Sequence, residues 1–220
     1  MNIKKTANLL LNFAIKRLAE TFGIIIFCSG AILLISLLTY SPEDPNFIFP
    51  DNFQIKNILG FQGSFISDLF FQSIGLISYM FSFTLIITGI NIFIKKEFFL
   101  IIENLFYATI YSVFGTLFLT HFYTNSFTLY INGNGGFIGN YLNQTFLNNI
   151  IQINENIFYF IIIIIILVLF LISINFRPKN FFILFKKILN FLFKKEEKNY
   201  TDKNEIINEY IPQDEIKNLI

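Results

Sequence analysis

The chain has 220 residues, 54% of them hydrophobic and only 14% charged, with a mean hydropathy of +0.60. An ordinary soluble domain carries about 25% charged residues, so the composition excludes that class and points to an integral membrane protein. The net charge of +1 singles out no partner, and the one cysteine, Cys28, can neither staple the fold nor make a good metal site.

A membrane-spanning helix needs about 20 mostly apolar residues to cross about 30 Å of hydrocarbon. Four runs qualify: residues 21–40, 67–94, 105–122 and 157–174. Residues 1–20 form a lead-in carrying Lys4, Lys5, Lys16 and Arg17. A cleaved signal peptide would need small residues after the first run, and "LLTYSPEDP" offers bulky and charged ones instead. The run is therefore expected to be a retained span. Tyr40 is its interfacial anchor, and Pro42 and Pro45 prevent the helix from continuing. The second run is long enough to tilt, or to begin as a helix above the bilayer. The loop before the fourth run holds "NGNGGFIGN", read as a turn leading into one short amphipathic helix over "FIGNYLNQTFLNNII". The fourth run contains neither a charge nor a Gly or Pro.

Four spans put fifteen of the sixteen Lys and Arg on one side, with only Lys56 opposite. The positive-inside rule then places both termini in the cytoplasm, and "TYSPEDPNFIFP" emerges on the outer side. Beyond the fourth run, residues 175–198 carry Lys186, Lys187, Lys194 and Lys198 beside a Phe-rich face. That pattern is expected to be an interfacial helix lying on the anionic inner leaflet. DNA binding is the rival use of the basic stripe, disfavoured because the apolar face requires lipid or protein. Residues 199–220 are polar and read as the start of a linker. The expected architecture is thus an all-α membrane protein of four spans plus an amphipathic cytoplasmic helix.

Leu and Ile gain nothing by facing protein rather than lipid, so spans associate through small and polar positions. Gly75, Ser82 and Gly89 recur at helical spacing in the second run, and Ala108, Ser112 and Gly115 in the third. Gly23 and Gly30 stand one heptad apart in the first. These stripes are expected in the bundle interior or at an oligomer contact. The rival use is a polar path for a solute through Gln72, as in a small transporter or channel subunit. Such a path normally carries ionisable groups at mid-membrane depth, and the runs carry none there. His121 stands alone, without metal-ligand spacing. No P-loop, dinucleotide fingerprint, acid/base carboxylate pair or Ser/His/Asp set is found, so no catalytic residue, cofactor or metal is expected.

Three motifs point to one family. "LLTYSPEDPNF" carries Tyr40, Pro42, Asp44, Pro45 and Phe47; "LGFQGSFISDLFF" carries Gly60, Gly63, Asp68 and Phe71; "GGFIGNYLNQTF" carries Gly135, Gly136 and Gly139. In this order between four spans, they resemble the N-terminal four-transmembrane (4TM) region of the FtsK/SpoIIIE DNA translocase family. Ser64 and Ser67 stand where that family has alanines, and keep those positions small. The resemblance covers roughly residues 21–174. It implies an anchor in the bacterial inner membrane at the division septum, serving cell division and chromosome segregation. It also implies partners among division-site membrane proteins and assembly as a homo-oligomer, a hexamer in that family. The ATP-driven motor and its DNA-reading domain are expected beyond these residues, so no direct nucleic-acid contact is expected within them.

Overall fold

The computed structural model describes residues 3–45, 54–124 and 132–177. The chain divides into two units, residues 1–176 and 177–220. The expected basic helix over 175–198 and the linker from 199 lie, beyond Arg177, outside the described residues. The first unit contains seven helices among the described residues.

Helix α1 runs from Ile3 to Leu38 without interruption. At about 1.5 Å per residue its 36 residues span about 54 Å, well beyond a hydrocarbon core of about 30 Å. The first span, expected over 21–40, is therefore the second half of a longer helix whose apolar part covers Asn8–Leu38. Lys16 and Arg17 do not break it, because long basic side chains are good helix formers, and Arg17 pairs with Glu20 one turn on.

The run 67–94 is not one span but two helices, α2 (Gly60–Ile74) and α3 (Ile77–Lys95). Gly75 separates them at φ +59°, a conformation that glycine adopts readily and other residues avoid. The break frees the Leu76 N–H, which donates to the Asn134 carbonyl at 2.9 Å. The spanning part is α3; α2 is a separate helix. Helix α4 covers Leu100–Phe122. The single amphipathic helix expected next is also divided, into α5 (Gly136–Asn143) and α6 (Phe146–Ile153). Thr145 explains the division: its Oγ1 accepts from Leu147 N and caps α6. Asn154 likewise caps α7 (Glu155–Ser173), accepting from Ile157 N at 3.2 Å.

Four helices among the described residues are long and apolar enough to cross a membrane: α1, α3, α4 and α7. Their backbone polar groups are satisfied within each helix, as hydrocarbon demands. One end of the bundle, here the loop end, holds the end of α1, the α2–α3 corner, the end of α4, and α5 and α6. At the opposite end Lys96 Nζ lies 2.7 Å from Glu20 Oε1, and Lys95 Nζ donates to Asn175 Oδ1 at 3.3 Å.

Two antiparallel pairs make the bundle. In α1–α3, a Cβ on Gly89 would lie 2.4 Å from Phe27 N, and one on Gly23 would lie 2.7 Å from Phe93 N. Backbone touches backbone there, which maximises van der Waals contact where burial from lipid yields no hydrophobic gain. In α4–α7, Leu117 and Ile162 pack together with Ile151 of α6. Another cluster, Leu33, Leu37 and Phe71, seats α2 on the end of α1.

Candidate functional site

The motif residues gather at the loop end. Asp44, 1% exposed, follows the end of α1. Its two carboxylate oxygens accept from the backbone N–H groups of Lys56 and Asn57 at 2.8 and 2.9 Å. The chain after α1 is thereby pinned at both ends of the 45–56 loop. Asn57 continues the chain of contacts: its Nδ2 donates to the Ser36 carbonyl at 2.9 Å and its Oδ1 accepts from Leu59 N at 3.0 Å. Ser36 Oγ in turn donates to the Gly63 carbonyl, and Ser64 Oγ to the Pro45 carbonyl at 3.1 Å. Gly63 must be small, since a Cβ would meet the Asn57 side chain at 2.2 Å. Gly60 takes φ +66° as the first residue of α2 and has open space around it.

A second line crosses the corner. Tyr40 donates to Asp68 Oδ1 at 3.2 Å, and Gln72 Nε2 donates to the same oxygen at 3.4 Å. Gln72 Oε1 accepts from Asn132 Nδ2 at 2.9 Å, and the Asn132 carbonyl accepts from Asn140 Nδ2 at 2.8 Å. Burial, and then the adjacent Asp68 carboxylate, hold the Tyr40 phenol well above its ordinary pKa. It therefore stays protonated and remains the donor.

The glycines of "GNGGFIG" let the loop lie flat against this corner. A Cβ on Gly135 or Gly139 would fall 2.0 or 2.2 Å from Thr120 Oγ1 of α4, and one on Gly136, at φ +66°, 2.7 Å from the Ser73 carbonyl. Asn134 Nδ2 donates to the Tyr123 carbonyl. His121 Nε2 stands 3.8 Å from Glu155 Oε1 and edge-on to Phe122, at the junction of α4 with α7. Among the described residues the arrangement ties helix ends and loop residues to one another, and no nucleophile–base pair is found there.

Residues 15–183 match the 4TM region of DNA translocase FtsK/SpoIIIE, most of the chain and all three motif segments. The chain belongs to this family. No curated protein and no solved structure gives a match. The FtsK/SpoIIIE 4TM region is a membrane domain distinct from the motor, and the four apolar helices agree with a multi-pass membrane protein.

The packing positions of this 4TM region divide by helix. Gly115 of α4 faces Ile77 of α3, where a Cβ would lie 2.5 Å from Cδ1. Ala108 is fully buried in the cluster with Ile77 and Tyr111. Ser82 is buried on α3, its hydroxyl bonded back to the Tyr79 carbonyl at 2.7 Å. Ser112 is buried on α4 with its Oγ unbonded. Gly75 differs from the others: it ends α2, and does not line a helix–helix seam. Its missing Cβ would stand 1.9 Å from the Asn134 carbonyl oxygen.

A further feature was not singled out in the sequence. Thr84 Oγ1 lies 2.8 Å from Tyr111 OH and 3.3 Å from Ser173 Oγ. Asn104 Nδ2 donates to Thr88 Oγ1 at 2.9 Å, and Asn104 Oδ1 accepts from Asn175 Nδ2 at 2.6 Å. Asn91 Nδ2 reaches the Ile174 carbonyl at 3.1 Å. This polar seam joins α3, α4 and the end of α7. Its signal was available: Thr84, Thr88 and Asn91 recur at the i, i+4, i+7 spacing of one helix face.

Proposed function

We propose that this chain is the membrane-anchoring region of an FtsK-type DNA translocase, tethering it at the division septum in support of cell division and chromosome segregation. The family match over residues 15–183 carries this reading. The loop-end network supports it, because the motif residues there hydrogen-bond one another and hold a shaped surface. In this reading the membrane is the bacterial inner membrane, and both termini face the cytoplasm with the bulk of the Lys and Arg. The loop end then faces outward toward division-site membrane proteins, and copies of the chain assemble as a homo-oligomer. ATP hydrolysis and DNA translocation belong to the family's motor and are not assigned to these residues.

A small transporter or channel subunit fits less well. Gln72, the polar residue such a path would need, is not in a spanning helix and is held between Asp68 and Asn132. The polar side chains of the α3–α4–α7 seam are likewise bonded to one another.

A fluorescent fusion of residues 1–220 is expected to concentrate at mid-cell in dividing bacteria. Uniform envelope labelling would defeat the septal reading. A reporter enzyme inserted at Gly133, where φ is +69° and the surroundings are open, is expected to be active only outside the cytoplasm. Cytoplasmic activity would reverse the orientation.

A further inference from the structure

Two clefts adjoin along α2. The first, of about 250 Å³, is a crevice walled by Phe70 and Ile74 of α2, Phe81 of α3, Ser112 and Val113 of α4, and Ile138 of α5. The second, of about 420 Å³, is walled by Phe65, Asp68, Gln72, Asn132 and Phe137. Leu69 and Ser73 line both, so the two clefts meet along one face of α2.

The clefts differ in chemistry. The crevice is almost wholly apolar and lies against the middle of α4, a membrane-crossing helix. With α4 in a bilayer, its surroundings are hydrocarbon. The second cleft lies at the loop end and contains one carboxylate, Asp68, which is 6% exposed. Both hydrogen-bond partners of Asp68, Tyr40 and Gln72, are neutral and share Oδ1. Among the described residues no Lys or Arg pairs with it, and Lys56, the one cation near this end, is paired with Glu43. A buried carboxylate without a cationic partner is electrostatically incomplete.

We propose that the joined clefts seat one phospholipid with a primary-amine headgroup, its ammonium on Asp68 and an acyl chain in the crevice between α2 and α4. The headgroup follows from what the cleft lacks and holds. An anionic headgroup would bring net negative charge beside a carboxylate that no Lys or Arg in the cleft offsets, whereas a zwitterionic one brings its own cation. A quaternary ammonium has no N–H to donate to Asp68. A primary ammonium satisfies the carboxylate through a charge-assisted hydrogen bond, which the quaternary group cannot form. The crevice sets the orientation, since a chain entering it from the hydrocarbon leaves the headgroup at the level of Asp68. The inference requires only that the four apolar helices lie in a bilayer. It holds whichever leaflet the loop end faces and whatever the chain does at the septum.

The test is native mass spectrometry of the full 220-residue chain released from detergent with palmitoyl-oleoyl phosphatidylethanolamine, phosphatidylcholine or phosphatidylglycerol added separately. One phosphatidylethanolamine is expected to be retained about tenfold more strongly than either other lipid, the scale of one charge-assisted hydrogen bond. In Asp68→Asn, whose amide can still bond Tyr40, the preference is expected to vanish. In Ser112→Phe, which fills the crevice, retention of that lipid is expected to fall while the residual preference for the amine persists. Equal retention of all three lipids by the unaltered chain means boundary lipid only and overturns the proposal. So does a preference for phosphatidylglycerol, or a preference that survives in Asp68→Asn. If a variant fails to fold, the three-lipid comparison on the unaltered chain still decides.

Discussion

Asp44 and Glu43 are adjacent acids with opposite weights. Asp44 is buried and accepts two backbone N–H groups that would otherwise be left without partners in the Lys56–Asn57 turn. Glu43 is largely exposed and pairs with the Lys56 ammonium, which holds its carboxyl below the ordinary range. The lowered value means that the pair contributes above the ordinary carboxylate range and is lost as pH falls through the lowered pKa. An exposed pair contributes little in any case, because water and salt screen it. Asp44→Ala is therefore expected to destabilise the chain by about 1–3 kcal/mol, the cost of stranding buried donors. Lys56→Met is expected to leave the Tm unchanged. Thermal unfolding of both variants in one detergent checks the contrast, and equal Tm losses would show that the surface pair holds the loop as strongly as the buried carboxylate does.

At the level of helices, the corner at Gly75 is the feature that sequence periodicity did not reveal. Small and polar residues recur at helical spacing from Asp68 to Gly89, and glycine is common in membrane helices, so nothing local marks an end. The end is imposed from outside, by the Asn134 carbonyl that takes the Leu76 N–H. The end of α1, by contrast, was visible, because Pro42 and Pro45 act through their own rings. The division between α5 and α6 was written in Thr145, a good N-cap residue, but eight-residue helices are too short for periodicity to separate. Two glycines now separate backbone strain from crowding. Gly60 and Gly75 both have positive φ, but a Cβ at Gly60 meets nothing and one at Gly75 meets the Asn134 carbonyl oxygen at 1.9 Å. Gly60→Ala is expected to cost about 1 kcal/mol, the left-handed penalty alone. Gly75→Ala adds overpacking of about 1–3 kcal/mol and is expected to detach the loop. Thermal unfolding, with alkylation of a cysteine placed at Asn132, reads both effects. Equal losses in the two variants would mean that the loop does not press on the corner.

Across the whole molecule, hydropathy alone revealed the four spans, because a membrane helix must be long and apolar whatever it packs against. Which faces meet was less visible. Gly89, Ser82 and Gly115 stood out by size, but the Thr84–Thr88–Asn91 face did not, since threonine in a helix commonly bonds its own backbone, as Thr84 does with the Met80 carbonyl at 3.1 Å. That face matters because α7 buries only Ile162 and Ser173 among its residues. Its apolar contacts with α4 are scarcely better than contacts with lipid, so the seam through Ser173, Ile174 and Asn175 is what ties its end to α3 and α4. Asn104 is the centre of the tie, donating to Thr88 and accepting from Asn175. Asn104→Leu keeps the branched shape and the number of heavy atoms while removing the polar groups, and is expected to lose about 0.5–2 kcal/mol, the range for polar contacts between membrane helices. Ile164→Ala, on the exposed face of α7, is expected to lose nothing measurable. A cysteine at Ile174 should also become more reactive toward a small thiol reagent in the Asn104→Leu background alone. Unchanged reactivity together with an unchanged Tm would place the hold on α7 in its apolar contacts, and the seam would then be a consequence of packing and not its cause.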